Sequence, residues 1–89
     1  MAQIIDINGT IKAVKPKNGR DFSLKELQKA VGGYIEIVRL SNNIVMVVNE
    51  EGWLRGLEFN KAASLMCVKN GYAASIAGNV LVCKDRQIR

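Results

Sequence analysis

Two motifs in the middle of the chain constrain its fold most strongly. The first, V-G-G-Y-I-E-I-V at residues 31–38, is typical of a helix end, a glycine break and a β-strand. The second, V-V-N-E-E-G at residues 47–52, indicates a strand that runs into an acidic turn. Neither motif contains a nucleophile with a base, a metal-ligand spacing or a phosphate loop. Together they predict a small α+β domain and leave its chemistry open.

The helix before the first motif is specified at both ends. Ser23 is a natural N-cap, and Glu26, three residues later, completes a capping box. Gly32 is placed to end the helix, because glycine readily adopts the left-handed conformation. These signals predict a helix over residues 24–31. Its apolar side chains at helical spacing are expected to be buried: Leu24, Leu27 and Val31.

Residues 34–40 and 44–48 predict two strands, and the polar residues between them predict a hairpin turn. With a two-residue loop, Glu36 lies opposite Asn49 across the ladder. A three-residue loop shifts this register by one residue. Tyr34 is expected to be a half-buried strand residue.

A second helix is expected over residues 61–68, with Asn60 as its N-cap. Trp53 and Leu54 are expected to begin a short strand before it. We expect the buried face of the second helix to carry three side chains: Ala62, Leu65 and Met66.

The two ends of the chain predict further strands. Residues 3–14 are rich in β-branched side chains, with a hairpin turn or a bulge at residues 8–9. Residues 74–84 predict the last strand, and the apolar run at 80–83 places it in the centre of the sheet. We therefore predict one α+β domain over residues 1–89. It would have two layers: a twisted, mostly antiparallel sheet of four or five strands with two short helices on one face.

The composition excludes some chemistry. The 89 residues contain no histidine, which rules out hydrolysis by a His-dependent dyad or triad. Cys67 and Cys83 cannot form a zinc site alone, and we expect both to be buried free thiols. We expect no cofactor and no metal site.

The chain has no apolar run near the roughly 20 residues that a membrane span needs. Its start does not resemble a signal peptide, so we expect a cytoplasmic protein without a membrane partner.

The formal net charge is +5, and the basic residues are unevenly placed. They concentrate in a loop and in the C-terminal tail, where they form a candidate phosphate-contacting set: Lys12, Lys15, Lys17, Arg20, Lys84, Arg86 and Arg89. The alternative is an ordinary solvated surface. Because few aromatic residues accompany these charges, any affinity for nucleic acid is expected to be weak and sensitive to salt.

Four segments in this order resemble the domain of unknown function DUF3846. They are V-G-G-Y-I-E-I-V at 31–38, V-N-E-E-G at 48–52, L-x-x-N at 57–60 and G-N-V-L-V at 78–82. The resemblance covers almost the whole chain. It implies a small protein of bacteria, phages or mobile elements with no assigned activity, and it supplies no catalytic residues. The setting it implies favours a small binding protein that acts on a host factor.

The polar residues near the predicted hairpin, with one tryptophan and one arginine, form the candidate binding surface: Glu36, Asn49, Glu50, Glu51, Trp53, Arg55 and Asn60. We favour a structural interpretation of these residues over a functional one: Asn49 shapes a turn, Asn60 caps a helix and the glutamates are solvated. The sequence leaves two positions open for Trp53. The core is preferred, because a small domain needs such residues for packing, and exposure at the surface would mark an interface.

Three functions compete. The preferred one is a non-enzymatic binding module that occupies a host protein or sequesters a small anionic, nucleotide-like ligand. The alternative is a nucleic-acid-associated accessory protein that binds phosphates through the basic loop and tail. The least favoured is a small enzyme with Glu36, Glu50 or Glu51 as its acid or base. Homodimer formation by strand pairing stays open.

Overall fold

The computed structural model describes residues 2–89 and has a five-stranded antiparallel sheet with two helices. The elements in chain order are β1 (Ala2–Ile5), β2 (Ile11–Val14), α1 (Leu24–Val31), β3 (Ile35–Arg39), β4 (Ile44–Asn49), α2 (Lys61–Lys69), β5 (Val80–Lys84) and a 3-10 turn (Asp85–Gln87). The strand order in the sheet is β2-β1-β5-β4-β3, and every neighbouring pair is antiparallel. The predicted α+β class and its antiparallel sheet are confirmed.

Each face of the sheet carries one helix. On one face, Val47 of β4 packs in a buried cluster with Leu27 of α1. On the other face, the adjacent Met46 packs with Cys67 of α2. Because successive side chains of a strand point to opposite faces, the two helices lie on opposite sides. The expectation of two layers, with both helices on one face, is wrong. The structure has three layers, since the central strands are apolar on both faces and each face needs cover.

The last strand lies in the middle of the sheet, between β1 and β4, as predicted. It is shorter than expected, because residues 74–79 form a loop before it. Gly78 in this loop has φ +90°, which is far from strand geometry. Trp53 and Leu54 also differ from prediction: they belong to a series of turns rather than a strand.

Both predicted hairpins are present. Residues 6–10 join β1 to β2, with Gly9 at φ +83° in the turn. In the β3–β4 hairpin, Glu36 lies opposite Val48 rather than Asn49. The backbone N–H of Leu40 donates to the Ile44 carbonyl at 2.9 Å, so three residues, 41–43, connect the paired ends of the hairpin. The register of the two-residue loop is therefore wrong, and the three-residue alternative is correct.

The first helix begins and ends where predicted. Ser23 and Glu26 form the reciprocal capping box, and Gly32 ends the helix at φ +82°. Leu24 is 57% exposed, so its predicted burial is wrong. It is the first residue of the helix and lies one turn before Leu27, at the exposed end of the helix face that buries Leu27 and Val31.

The second helix has a different buried face from the predicted one. Leu65 is exposed, while Ala62 and Met66 are only partly buried. The buried positions are Ala63, Ser64 and Cys67, which are the direct neighbours of the three predicted ones. Small side chains face the sheet here, and the larger ones lie at the edge of the contact.

No helix within residues 2–89 has the length and apolarity to cross a membrane.

Asn60 joins three parts of the chain and is completely buried. Its Oδ1 accepts from the backbone N–H of Ala63 at 3.0 Å, which confirms the predicted cap of α2. Its Nδ2 donates to the carbonyls of Ile5 at 3.0 Å and Gly78 at 2.9 Å. One side chain therefore ties the start of α2 to the end of β1 and to the loop before β5.

The two cysteines are buried free thiols, as predicted. Cys83 belongs to the cluster beneath α1, and Cys67 belongs to the cluster on the opposite face. Removal of the thiol from solvent raises the pKa of Cys83 from 9.0 to about 11. Burial also raises the pKa of Cys67.

The Asn60→Ala substitution is expected to lower the free energy of unfolding by about 3 kcal/mol, because it removes a helix cap and leaves two buried carbonyls without a donor. Urea denaturation of the purified protein measures this loss. The control is Asn42→Ala in the exposed β3–β4 turn, which should change stability by less than about 0.5 kcal/mol. Equal losses in the two variants would contradict the role of Asn60.

The raised pKa of Cys83 predicts an alkaline loss of stability. Between pH 9 and about 11 the unfolded chain releases a proton that the folded thiol keeps, so the free energy of unfolding falls as pH rises. The Cys83→Ala variant lacks this contribution. We therefore expect the stability difference between wild type and variant to decrease across this range in denaturation curves. A difference that stays constant with pH would refute the prediction.

Candidate binding surface

A shallow cleft of about 140 Å³ opens where β4 runs into the turns of residues 50–56. Five of the seven residues predicted for the binding surface line it: Glu36, Asn49, Glu50, Glu51 and Trp53. The opposite wall is formed by residues 75–77, which precede β5. This wall was not predicted, because residues 74–84 were expected to form one strand.

Asn49 is buried and holds the cleft in shape. Its Nδ2 donates to the carbonyl of Val31 at 3.0 Å, and its Oδ1 accepts from the backbone N–H of Glu51 at 2.8 Å. A Cβ atom at Gly33 would lie 3.0 Å from that Nδ2. The side chain thus links the end of α1 to the acidic turn, which supports the turn-forming alternative for this residue.

Gly52 brings the two walls together. A Cβ atom at this position would lie 2.8 Å from the carbonyl oxygen of Ala77, closer than real Cβ contacts. The acidic turn and the loop before β5 are therefore in direct backbone contact. This contact closes the cleft between its two walls.

Trp53 is 56% exposed, and its predicted place in the core is wrong. Its Nε1 donates to the carbonyl of Ser75 at 3.0 Å. Its ring also stacks on Phe59, with centroids 6.3 Å apart and an angle of 24° between the planes. Because these two contacts satisfy the indole from outside the sheet, Trp53 stays at the surface in a fixed orientation.

Two further apolar side chains are exposed beside the indole. Leu54 is 87% exposed and lines the same cleft, and Phe59 is 48% exposed. We name Trp53, Leu54 and Phe59 the aromatic surface. Large exposed side chains grouped in this way mark interaction sites more often than isolated ones do.

The charges around the cleft are mostly negative. Glu51 forms an ion pair with Arg55 at 3.4 Å, whereas Glu36 and Glu50 form none within residues 2–89. Across the same residues, no group of three or more side chains is arranged to hold a metal ion. The cleft therefore combines an apolar floor with free carboxylates at its rim.

Two of the predicted site residues do not line the cleft. Arg55 lies in a separate depression with Gln28, Gly33 and Tyr34. Tyr34 is 61% exposed and precedes β3, so the expectation of a half-buried strand residue is wrong. Asn60 is completely buried, and its amide is used within the fold, so it cannot contact a ligand.

The basic loop and the C-terminal tail lie side by side, which the sequence did not predict. Phe22 and Ile88 form a parallel bridge, and the N–H of Phe22 donates to the Gln87 carbonyl at 2.7 Å. Arg20 and Arg86 line one cleft at this junction.

The other basic residues of the candidate phosphate set lie outside that cleft. Arg89 pairs with Asp21 at 3.0 Å. Lys12 lies on the edge strand β2, and Lys84 ends β5. Lys15 and Lys17 are exposed in the loop that follows β2. The structure therefore brings only part of the set together.

Comparison with known proteins gives one match. The family model for a domain of unknown function, DUF3846, matches residues 3–88. No curated protein and no solved structure gives a significant match. The match spans nearly the whole chain, as the four motif segments indicated, and the chain belongs to the DUF3846 family.

Proposed function

We propose that this protein is a non-enzymatic binding module of a phage or mobile element that binds a host protein in the cytoplasm. The observation that carries the proposal is the aromatic surface. Trp53 is fixed by a hydrogen bond and by stacking on Phe59, yet more than half of it is exposed. Tryptophan is enriched among the residues that dominate binding energy in protein interfaces.

Size and charge favour a protein over a nucleotide-like ligand at this surface. The cleft measures about 140 Å³, whereas sites that enclose small molecules usually measure about 300–1,000 Å³. Glu36 and Glu50, which form no ion pair within residues 2–89, would also repel an anion. A shallow apolar surface with charged edges is typical of a protein interface instead.

The rim carboxylates suggest the chemistry of the partner. Glu36 and Glu50 are exposed on the two sides of the β3–β4 end of the cleft. A complementary partner would place an apolar side chain against Trp53 and basic residues against the rim. The preformed orientation of the indole reduces the entropy lost on binding.

The exposure of the glutamates at the rim of the cleft also supports a non-enzymatic role. A general acid or base works best when burial or neighbouring charges tune its pKa towards the working pH. Glu36 and Glu50 lie in solvent, and Glu51 is held by Arg55. None of the three is paired with a second titratable group of the kind that acid–base catalysis uses.

The Leu54→Glu substitution tests the proposal. Leu54 is 87% exposed, so the change should leave the fold intact while it adds a charge to the aromatic surface. We expect wild-type protein to recover one stoichiometric host protein from lysate, and Leu54→Glu to bind that purified protein at least about 30-fold more weakly in calorimetry.

The matched control is Leu24→Glu, which makes the same change at an exposed leucine in the first turn of α1. It should bind the host protein with wild-type affinity. The proposal fails if Leu54→Glu binds as tightly as wild type, or if the lysate yields no stoichiometric protein.

A further inference from the structure

We propose that the protein has a second, independent site that binds a phosphate group between Arg20 and Arg86. The site is a cleft of about 480 Å³, here named the arginine cleft, lined by Gly19, Arg20, Asp21, Arg86 and Gln87. The ligand class is a phosphate ester, either a nucleotide or the backbone of a nucleic acid.

The backbone at the junction of loop and tail fixes the arginine cleft. Phe22 is 3% exposed and anchors the loop in the cluster beneath α1. Its N–H donates to the Gln87 carbonyl at 2.7 Å, and its carbonyl accepts from the N–H of Arg89 at 3.1 Å. Arg20 and Arg86 therefore project from two segments that are hydrogen-bonded to each other and packed on the core.

The two arginines of the cleft are the ones without an ionic partner. Of the five arginines in the chain, Arg39, Arg55 and Arg89 each form an ion pair. Arg20 and Arg86 have no carboxylate within 4.0 Å among residues 2–89. Two free guanidinium groups on one cleft match the oxygens of a phosphate, which arginine binds in bidentate geometry.

The one carboxylate that lines the cleft is already compensated. Asp21 accepts hydrogen bonds from Asn18 Nδ2 at 2.8 Å and from Arg89 Nε at 3.0 Å. The hydrogen bond from Asn18, followed by that from Arg89, lowers the pKa of Asp21. Coulombic attraction to Arg89 and to Arg20 lowers the pKa of Asp21 further. One carboxylate therefore faces three arginines at this junction, and the cleft keeps a net positive charge.

Two polar side chains beside the arginine cleft support the binding of a phosphate group there. Asn18 Oδ1 accepts from the backbone N–H groups of Arg20 at 2.8 Å and Asp21 at 2.9 Å, so it holds the loop in position. Gln87 Oε1 accepts from the Lys84 N–H at 3.0 Å, which orients the amide group of Gln87. Its Nε2 is then available as a neutral donor beside the two arginines.

The arginine cleft shares no residue with the aromatic surface. Phe22 and Ile88, which anchor it, pack on the α1 side of the sheet. Val48 and Ile76, which line the cleft at Trp53, belong to the cluster on the α2 side. Failure of either proposal therefore leaves the other untouched.

The test is a titration of the ¹⁵N-labelled protein, residues 1–89. Amide shifts are measured by NMR at constant ionic strength with three separate probes. These are inorganic phosphate, adenosine monophosphate and a short DNA duplex. We expect saturable shifts at the amides of Gly19, Arg20 and Gln87. Arg20→Gln and Arg86→Gln should each weaken the tightest of the three interactions by at least about tenfold, because each removes a charge-assisted contact.

Lys69→Gln is the matched control, since it removes one exposed positive charge from the end of α2 on the opposite face. It should change the affinity less than twofold. Preference for the duplex would assign the phosphate to nucleic acid, and preference for the mononucleotide would assign it to a small ligand. The proposal is overturned if no probe gives saturable shifts at the cleft, or if Lys69→Gln weakens binding as much as the arginine variants do.

Discussion

The pairing of β5 with both β1 and β4 joins the two halves of the sheet. The alternate side chains of β5 complete both cores: Leu81 packs in the cluster beneath α1, and Val80 packs in the cluster beneath α2. Without β5 the sheet would divide into two hairpins, each unable to bury its apolar faces. The helices have eight and nine residues, which is too short for stability in isolation. The two hydrophobic clusters, one beneath each helix, must therefore form together with β5.

Buried amides connect the segments that mark the family. Asn49 of the V-N-E-E-G turn donates to the last carbonyl of α1, just before the two glycines. Asn60 of L-x-x-N donates to the carbonyl of Gly78, at the start of G-N-V-L-V. The fold alone accounts for these motif residues, because each makes a contact on which the packing depends. A binding surface is then better sought among the exposed residues beside them, of which Trp53 is the largest.

Local signals predicted the parts of the fold that depend on local physics. The limits of α1, the N-cap Asn60 and the central place of β5 all follow from neighbouring residues in the chain. The exposure of Trp53 was missed because its partners, Ser75 and Phe59, lie on other segments. The prediction also placed both helices on one face of the sheet, whereas they lie on opposite faces. A run that is apolar on both faces shows that a strand is central, but not which helix covers which side.

The distribution of charge gives more information than the net charge of +5. Three of the five arginines form ion pairs, whereas Arg20 and Arg86 form none within residues 2–89 and line the same cleft. Glu36 and Glu50 line the other cleft, and neither carboxylate has an ion-pair partner in the described part of the chain. An anionic group and a basic protein surface would therefore be drawn to different parts of the molecule. Since the two clefts share no residue, the two proposed ligands would contact separate surfaces of the domain.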